Sequence, residues 1–289
     1  MNDDVAERSP RRFDVQTLRA AVARLLVQAN YCIPDDVLEA LRSSADREES
    51  PVGRRVLAQL ISNYEVAASE KRPACQDSGL TVVHVELGQD VHCVGGDVYE
   101  AIYDGIRDGT RDGYLRQSVI GEPLLRRNSA SDVPGVIHVD LVPGDRVTLT
   151  VASKGFGSEN KSALAMLTPA DGRKGVRDFV IATVDRAGAD ACPPLIVGVG
   201  VGGTFETAAL LAKKAVLRPI ARRHAQPHVR ELEAELLEAI NELGIGPQGL
   251  GGTVTALAVN IELHPTHIAG LPVAVNIGCH SNRRATATL

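Results

Sequence analysis

The sequence has no tryptophan, only two methionines and 3% aromatic residues among 289, so its interior must be built largely from aliphatic side chains. Hydrophobic residues still make up 44% and charged residues 23%, which is an ordinary globular composition. No apolar run is long enough to span a bilayer, and the polar start Met1-Asn-Asp-Asp-Val5 lacks the basic and then apolar order of a signal peptide. We therefore expect a cytoplasmic protein with no membrane partner.

The charge is also unremarkable. The formal net charge is -5, and no run of basic residues is present. A nucleic-acid-binding surface normally needs clustered lysine and arginine, because its partner is a polyanion. The sequence therefore gives no reason to expect a nucleic-acid partner.

The cysteines are odd in number and scattered, and no C-x-x-C motif occurs; they are Cys32, Cys75, Cys93, Cys192 and Cys279. In a reducing compartment this pattern argues against a disulfide framework. Free thiols and metal ligands are the interpretations left open.

Hydrophobic periodicity predicts a mixed α/β fold, with a helical part over about residues 1–70 and mixed β-sheets with packed helices after it. Predicted helices lie near 14–29, 34–41, 50–64, 97–108, 176–184, 204–216 and 232–243. Predicted strands lie near 80–87, 136–142, 146–152, 195–201, 255–263 and 271–277. We expect 136–142 and 146–152 to form a hairpin through 143–145, and the whole chain, 1–289, to form one catalytic domain.

Two glycine-rich stretches suggest an anion site. Gly198-Val-Gly-Val-Gly-Gly203 matches G-x-G-x-x-G between a predicted strand and a helix, which we expect Thr204 to cap. A dinucleotide fold carries an acidic residue about twenty positions later, whereas this chain has Arg218-Pro-Ile-Ala-Arg-Arg-His224 there. A tight turn with close helix packing, or an anion nest, are the alternatives. Near the C-terminus, Gly244-Ile-Gly-Pro-Gln-Gly-Leu-Gly-Gly252 could likewise turn backbone N–H groups toward an anion.

Three of the cysteines share a local context. Cys75, Cys192 and Cys279 each lie close to proline or glycine in a predicted loop near a strand end, unlike Cys32 and Cys93. Three thiolates can hold zinc together with a histidine, or three irons of a four-iron cluster whose fourth iron is open. Inert buried thiols are the third alternative, and the spacing does not choose among them.

Six ordered motifs resemble one family. They are Arg72-Pro-Ala-Cys-Gln-Asp-Ser-Gly79, Lys154-Gly-Phe-Gly-Ser-Glu-Asn-Lys-Ser-Ala-Leu164, Cys192-Pro-Pro through Gly203, Leu217-Arg-Pro219, Gly246-Pro-Gln-Gly-Leu-Gly-Gly252 and the segment around Cys279. From about residue 50 to its end, the chain resembles the α chain of class I iron-sulfur fumarate hydratases and the related L-tartrate dehydratases. That resemblance implies the α-domain fold of this class and reversible hydration of fumarate to L-malate.

The resemblance also implies a site. A [4Fe-4S] cluster would be held by Cys75, Cys192 and Cys279, and its open iron would act as a Lewis acid on the substrate hydroxyl. Asp77 and His267 would be catalytic, with Asp77 handling the proton of the departing hydroxyl. The family's substrate contacts carry over to three positions, Gln76, Arg116 and Gly157.

Two differences from the family pattern bear on which substrate and which partner to expect. The stretch Arg126-Arg-Asn-Ser-Ala-Ser-Asp132 differs from the usual hydratase pattern, so L-tartrate or another small dicarboxylate such as mesaconate is an alternative substrate. Single-chain members continue into a swivelling domain that this chain lacks after Cys279. We therefore expect a separate β subunit in an α2β2 heterotetramer. The non-enzyme alternative is a cluster-bearing binding or iron-sensing protein.

Overall fold

The computed structural model describes residues 9–126 and 130–289. The polar start of the chain and part of the stretch 126–132 therefore lie outside the described residues. The helices are α1 Val15–Tyr31, α2 Asp35–Arg47, α3 Pro51–Glu70, α4 Val98–Asp112, α5 Phe156–Glu159, α6 Gly172–Ala187, α7 Phe205–Leu217 and α8 Pro227–Asn241. The strands are β1 Arg11–Asp14, β2 Leu80–Gly88, β3 Val91–Val94, β4 Val136–Val142, β5 Val147–Lys154, β6 Ala163–Leu167, β7 Leu195–Gly202, β8 Ala256–His264, β9 Leu271–Gly278 and β10 Arg284–Thr288.

The chain forms two compact units, each assembled from separate stretches of sequence. The first combines Met1–Tyr31, Ser78–Ser153 and Arg284–Leu289, and the second combines Cys32–Asp77 and Lys154–Arg283. None of the helices in the described part of the chain is long and apolar enough to cross a bilayer. The predicted mixed α/β class is confirmed, while the expected single catalytic domain stays a prediction.

The first unit is a four-stranded sheet with strand order β10-β5-β2-β4, packed against α1 and α4. Its aliphatic core joins Leu25 and Leu26 of α1 to Ile102 and Ile106 of α4 and to the inward side chains of β2 and β5. The two helices approach closely because Gly105 faces α1. A Cβ atom at this position would lie 2.6 Å from the Arg19 carbonyl oxygen, so any larger residue would push the helices apart.

The second unit is built on a sheet with strand order β6-β9-β7-β8. The strand β7 runs parallel to β8 and antiparallel to β9. Valines 197 and 199 of β7 turn toward the core formed with α6 and α8, whereas Gly198 and Gly200 turn toward α7. A Cβ atom at Gly200 would lie 2.1 Å from the Ala208 carbonyl oxygen. The glycines of the G-x-G-x-x-G match therefore serve close helix packing, which was the plain alternative.

Side-chain caps begin three helices close to where the sequence predicts. Asp14 accepts a hydrogen bond from the Gln16 N–H at 2.9 Å before α1, and the Ser50 hydroxyl accepts from the Gly53 N–H at 3.2 Å in α3. Asp97 caps α4 through the Glu100 N–H at 2.9 Å. The prediction that Thr204 caps α7 is wrong, because its side chain accepts no capping bond; its hydroxyl lies 2.9 Å from the Thr207 hydroxyl.

The predicted hairpin is also wrong. In the first unit β2 lies between β4 and β5, so these two strands are not neighbours. Residues 143–146 instead accept hydrogen bonds from the end of β2 and the turn after it. The Gly88 N–H donates to Arg146 O at 2.8 Å, and the Asp90 N–H donates to Gly144 O at 3.0 Å. Alternation along 136–142 predicted a strand correctly, but it carries no information about which strand pairs with it.

Candidate functional site

The three singled-out cysteines lie in the second unit, on loops that leave three different elements. Cys75 follows α3, Cys192 precedes β7 and Cys279 follows β9. Because β7 and β9 are antiparallel, with Ile196 opposite Gly278, Cys192 and Cys279 come to the same end of the sheet. The His280 N–H donates to the Cys192 carbonyl oxygen at 3.4 Å. The fold thus joins cysteines that are far apart in sequence.

The three thiols are close enough to influence each other's charge. Partial burial raises the pKa of the Cys192 thiol, and the charges of Cys279 and Cys75, then of Asp190 and Asp77, raise it further. Thiolates that destabilise one another in this way are stabilised by a bound cation. Within the described ranges, however, no three His, Cys, Asp or Glu side chains converge tightly enough for a single metal ion.

Cys192 itself has an unusual backbone. Its φ of 57° lies in the left-handed region, which a non-glycine residue occupies only when its surroundings demand it. The glycine-rich loop holds this segment, because both the backbone N–H and the side-chain amide of Gln248 donate to Pro193 O at 2.8 Å. At Gly249 a Cβ atom would lie 2.1 Å from the Cβ of Ala189, so the loop can pack here only with glycine. This loop therefore positions a cysteine.

The glycine-rich loop 244–252 lies next to an anion, but this anion is the side chain of Glu48. Glu48, which is 1% exposed, accepts hydrogen bonds from the backbone N–H groups of Thr253 at 3.0 Å and Val254 at 2.8 Å. Burial alone would raise the pKa of Glu48, but these bonds and one from the Ser50 N–H outweigh burial and lower that pKa. The glycine-rich segment thus bends around an internal carboxylate, and the idea that it receives an anionic ligand finds no support.

Asp77 lies two residues after Cys75, and its carboxylate is held by the loop that begins α5. Its Oδ2 accepts a hydrogen bond from the Phe156 N–H at 2.9 Å. A Cβ atom on Gly155 would come within 3.1 Å of this Oδ2 atom and 3.2 Å of Nη2 of Arg283. Glycine at 155 therefore lets a carboxylate and a guanidinium group approach the same stretch of backbone.

Arg283 is a site residue to which sequence reasoning assigned no role. It is 3% exposed, and its charge reaches both members of a hydrogen-bonded pair, His280 and Tyr64. Burial, and then the charge of Arg283, lower the pKa of His280 to about 4. The available sequence signal was its position four residues after Cys279. The structure adds a permanent positive charge beside the candidate ligands.

The substrate contacts implied by the resemblance fall into two groups. In the second unit, Gln76 is exposed beside Cys75, and the Cys75 thiol lies 3.6 Å from its side-chain oxygen. Gly157 is exposed in α5, and a Cβ atom there would meet only Asp190 O, at 3.6 Å. Arg116 is an exposed residue of the first unit, where its backbone N–H donates to the Ser78 hydroxyl at 2.8 Å.

His267 is not brought to the cysteines within its unit. It lies in the loop between β8 and β9, where its Nδ1 accepts from the Ala269 N–H at 3.1 Å. Cys279 lies at the other end of β9, whose eight residues span roughly 26 Å at the usual rise of a strand. Within one chain, the sheet therefore separates the candidate catalytic residue His267 from the candidate ligands.

Next to the site, Glu159 forms ion pairs with two lysines. Lys154 belongs to the Lys154-Gly-Phe-Gly-Ser-Glu159 motif, and Lys213 belongs to α7. The Glu159 carboxylate lies 3.0 Å from Nζ of Lys154 and 2.6 Å from Nζ of Lys213, and it accepts from the Asn276 amide at 2.8 Å. Burial would raise the pKa of Glu159, but the two lysines and the hydrogen bonds outweigh it and lower that pKa to about 2. Both lysines are therefore engaged in ion pairs that brace α5, β9 and α7.

Comparison with known proteins identifies the family of the chain. Residues 19–288 match the family model described as Fumarate hydratase (Fumerase). The chain is 40% identical over 270 residues to the Putative L(+)-tartrate dehydratase subunit alpha of Methanocaldococcus jannaschii, a match that covers 91% of this chain and 94% of the relative. It is 36% identical over 276 residues to the L(+)-tartrate dehydratase subunit alpha of Escherichia coli, covering 94% of this chain and 90% of the relative. The chain therefore belongs to the fumarate hydratase (Fumerase) family of hydro-lyases.

Proposed function

We propose that this chain is the cytoplasmic α subunit of a [4Fe-4S]-dependent hydro-lyase that interconverts fumarate and L-malate. The observation that carries the proposal is that Cys75 and Cys279, each on a different loop, lie within electrostatic reach of Cys192, as do Asp77 and Asp190. These negative groups raise the pKa of the Cys192 thiol, and a cationic group bound among them would offset that effect.

The ligand set suits a cluster better than a single ion. Single-ion sites need at least three donors within about 2–2.5 Å of one point, and the described residues hold no such group. Thiolates spread around a wider centre are the donors that iron–sulfur clusters use. When bound, the cluster would supply a Lewis acid for the hydroxyl and carboxylate of the substrate.

Asp77 is proposed to handle the proton on the hydroxyl side. The hydrogen bond from Phe156 fixes its carboxylate next to the ligand Cys75, so the group is oriented before substrate arrives. Arg283 adds a positive charge near this carboxylate, which would help to balance a dianionic substrate. Together they provide proton transfer and charge balance on one side of the reacting bond.

The proposed substrate contacts are Gln76, Gly157 and Arg116. Neither the chain's own packing nor a left-handed backbone demands glycine at 157, because an added Cβ atom would meet only one atom at an ordinary contact distance. We interpret this glycine as space kept for a substrate carboxylate. Arg116 can hold a second carboxylate through its planar guanidinium group.

His267 remains a proposed catalytic residue on the strength of the resemblance. Because β9 separates it from Cys279, this role requires that His267 act at a site formed with another chain. The protein names of the relatives include "subunit alpha", which implies a partner β subunit, and we propose an α2β2 assembly. The β subunit would supply the base on the carbon side, for which this chain offers no convincing candidate.

L-tartrate is the second candidate substrate, and the names of the two relatives favour it. Fumarate is favoured by the family model and by two motifs, Gly155-Phe-Gly-Ser-Glu-Asn160 and Pro265-Thr-His267, which resemble the fumarate enzymes. The test is to reconstitute the chain anaerobically with iron, sulfide and its β subunit and to compare kcat/KM for L-malate, L-tartrate and mesaconate. Higher kcat/KM for L-tartrate would replace our substrate, and no turnover of any dicarboxylate would favour a binding or iron-sensing protein.

A further inference from the structure

The outer strand of the first unit presents an apolar edge. β4 ends the strand order β10-β5-β2-β4, so within the described residues no further strand pairs with its outer side. Val139 is 39% exposed and Leu141 is 71% exposed on the face that elsewhere forms the core. A seven-residue edge with five aliphatic residues and no lysine or proline is the kind of edge that associates with another strand.

The other face of β4 places like groups side by side. In the parallel register of β2 and β4, His84 lies opposite His138 and Glu86 lies opposite Asp140. The two histidine rings stack with centroids 4.9 Å apart. Two of the four rows on this face thus pair like polar groups, and a histidine row is extended more favourably by carboxylates than by further histidines.

We propose that β4 pairs with β4 of a second copy of this chain, antiparallel, about a two-fold axis at Val139. In this register Val139 faces itself, and the second copy's Leu141 faces Ile137. His138 faces the second copy's Asp140, and by symmetry Asp140 faces His138. Every apolar side chain on the core face then meets an apolar side chain, and each histidine row meets a carboxylate row.

The sequence selects this register over its neighbours. In an antiparallel pair, directly opposite residues lie on the same face of the sheet. A two-fold axis perpendicular to the sheet must therefore set one residue of β4 opposite the same residue of the second copy. Centring the pair on Asp140 would set two carboxylates directly opposite each other, and centring it on His138 would oppose Asp140 to Val136. Only the axis at Val139 pairs all seven residues of β4 and sets each His138 opposite an Asp140.

The first test is the oligomeric state of the full chain without its β subunit. We expect sedimentation to give twice the 30.7 kDa of one chain. Val139→Lys sets two ammonium groups against each other at the axis and should raise the dimer dissociation constant at least roughly tenfold. The matched control is Val52→Lys, because Val52 of α3 is also 39% exposed, and this variant should remain a dimer. Unchanged far-UV circular dichroism establishes that both variants fold.

The histidine and carboxylate rows give a second test with its own rescue. His138→Asp sets two pairs of carboxylates opposite each other and should weaken the dimer, whereas His138→Asp combined with Asp140→His restores opposite groups and should restore it. A Val139→Cys variant should form a covalent dimer under mild oxidation, and Leu141→Cys, which does not face itself, should form none beyond the wild-type level.

A monomeric wild-type chain, or a dimer insensitive to Val139→Lys, overturns the proposal. So does a Val139→Lys variant that stays dimeric but loses its β subunit, since the edge would then belong to that partner.

Discussion

The carboxylate of Asp77 accepts a hydrogen bond from the Phe156 N–H at 2.9 Å, which joins the loop of one candidate ligand, Cys75, to the start of α5. The bond fixes the carboxylate without involving a cysteine thiol. The chemistry proposed for Asp77 can therefore be separated from cluster binding by substitution.

Asp77→Asn should lower kcat by about 10²- to 10⁴-fold, because an amide still accepts from Phe156 but cannot transfer the proton. Iron content should stay at the wild-type level. The control is Asp178→Asn, which removes exposed ion pairs with Lys174 and Arg177 on α6 and should leave kcat nearly unchanged. Steady-state assays of the αβ complex with parallel iron analysis check both values, and an Asp77→Asn enzyme with wild-type kcat would remove Asp77 from the mechanism.

Substituting Cys75, Cys192 or Cys279 with serine should abolish iron binding, because a hydroxyl replaces a thiolate ligand in each case. Cys93→Ser is the matched control, since Cys93 lies on β3 and burial raises its pKa without a contribution from the other thiols. Its iron content should match wild type, as should that of Cys32→Ser. Anaerobic reconstitution followed by iron and sulfide analysis gives the result, and stoichiometric zinc in place of iron would contradict the cluster.

Glu48→Gln should destabilise the second unit by about 3 kcal/mol, because the carboxamide cannot accept from all the N–H groups around it and its NH₂ group opposes them. The neighbouring Glu49 is exposed, so Glu49→Gln is a control of equal chemistry and should change stability by less than about 0.5 kcal/mol. Denaturant unfolding of both variants measures the difference. Equal stabilities would mean that the glycine-rich loop does not depend on the buried carboxylate.

The stability of the chain should depend on acid through Glu159. Its pKa is lowered from 4.5 to about 2 in the folded chain, so its contribution is complete above pH 4.5 and is lost as the pH falls toward 2. The shift corresponds to about 3 kcal/mol. We expect the gap in unfolding free energy between wild type and Glu159→Gln to narrow by about this amount over that interval. A gap that is constant with pH would show that the ion pairs with Lys154 and Lys213 do not set the pKa of Glu159.

Much of the fold follows from local pattern, whereas strand pairing does not. The periods of α1, α4 and α8 and the apolar runs of β7 and β9 are set by nearby residues, and these elements appear where the sequence predicts them. The short strands β1, β3, β6 and β10 were missed, because four or five residues are too few for a hydrophobic pattern to indicate a strand. The predicted hairpin between β4 and β5 is wrong because β2, from an earlier part of the chain, lies between them. No local pattern in 136–152 could have indicated this.

The candidate site shows the same limit. Proline and glycine beside Cys75, Cys192 and Cys279 singled out three cysteines of five, and the structure brings their charges within reach of one another. Sequence alone gave no sign that Gly155 admits Arg283 beside Asp77, or that Glu48 is the anion inside the glycine-rich loop. Both relationships join residues separated by more than a hundred positions, and only the folded chain defines them.

We propose that this chain supplies the metal-binding and hydroxyl side of a hydro-lyase site and needs a β subunit for the other side. The most direct measurement is steady-state hydration of fumarate by the iron-loaded chain alone and by the same preparation after the β subunit is added. We expect negligible turnover by the chain alone and full turnover by the αβ complex, with the same iron content in both samples. Comparable turnover in both samples would contradict the proposal, because these 289 residues would then contain the missing base.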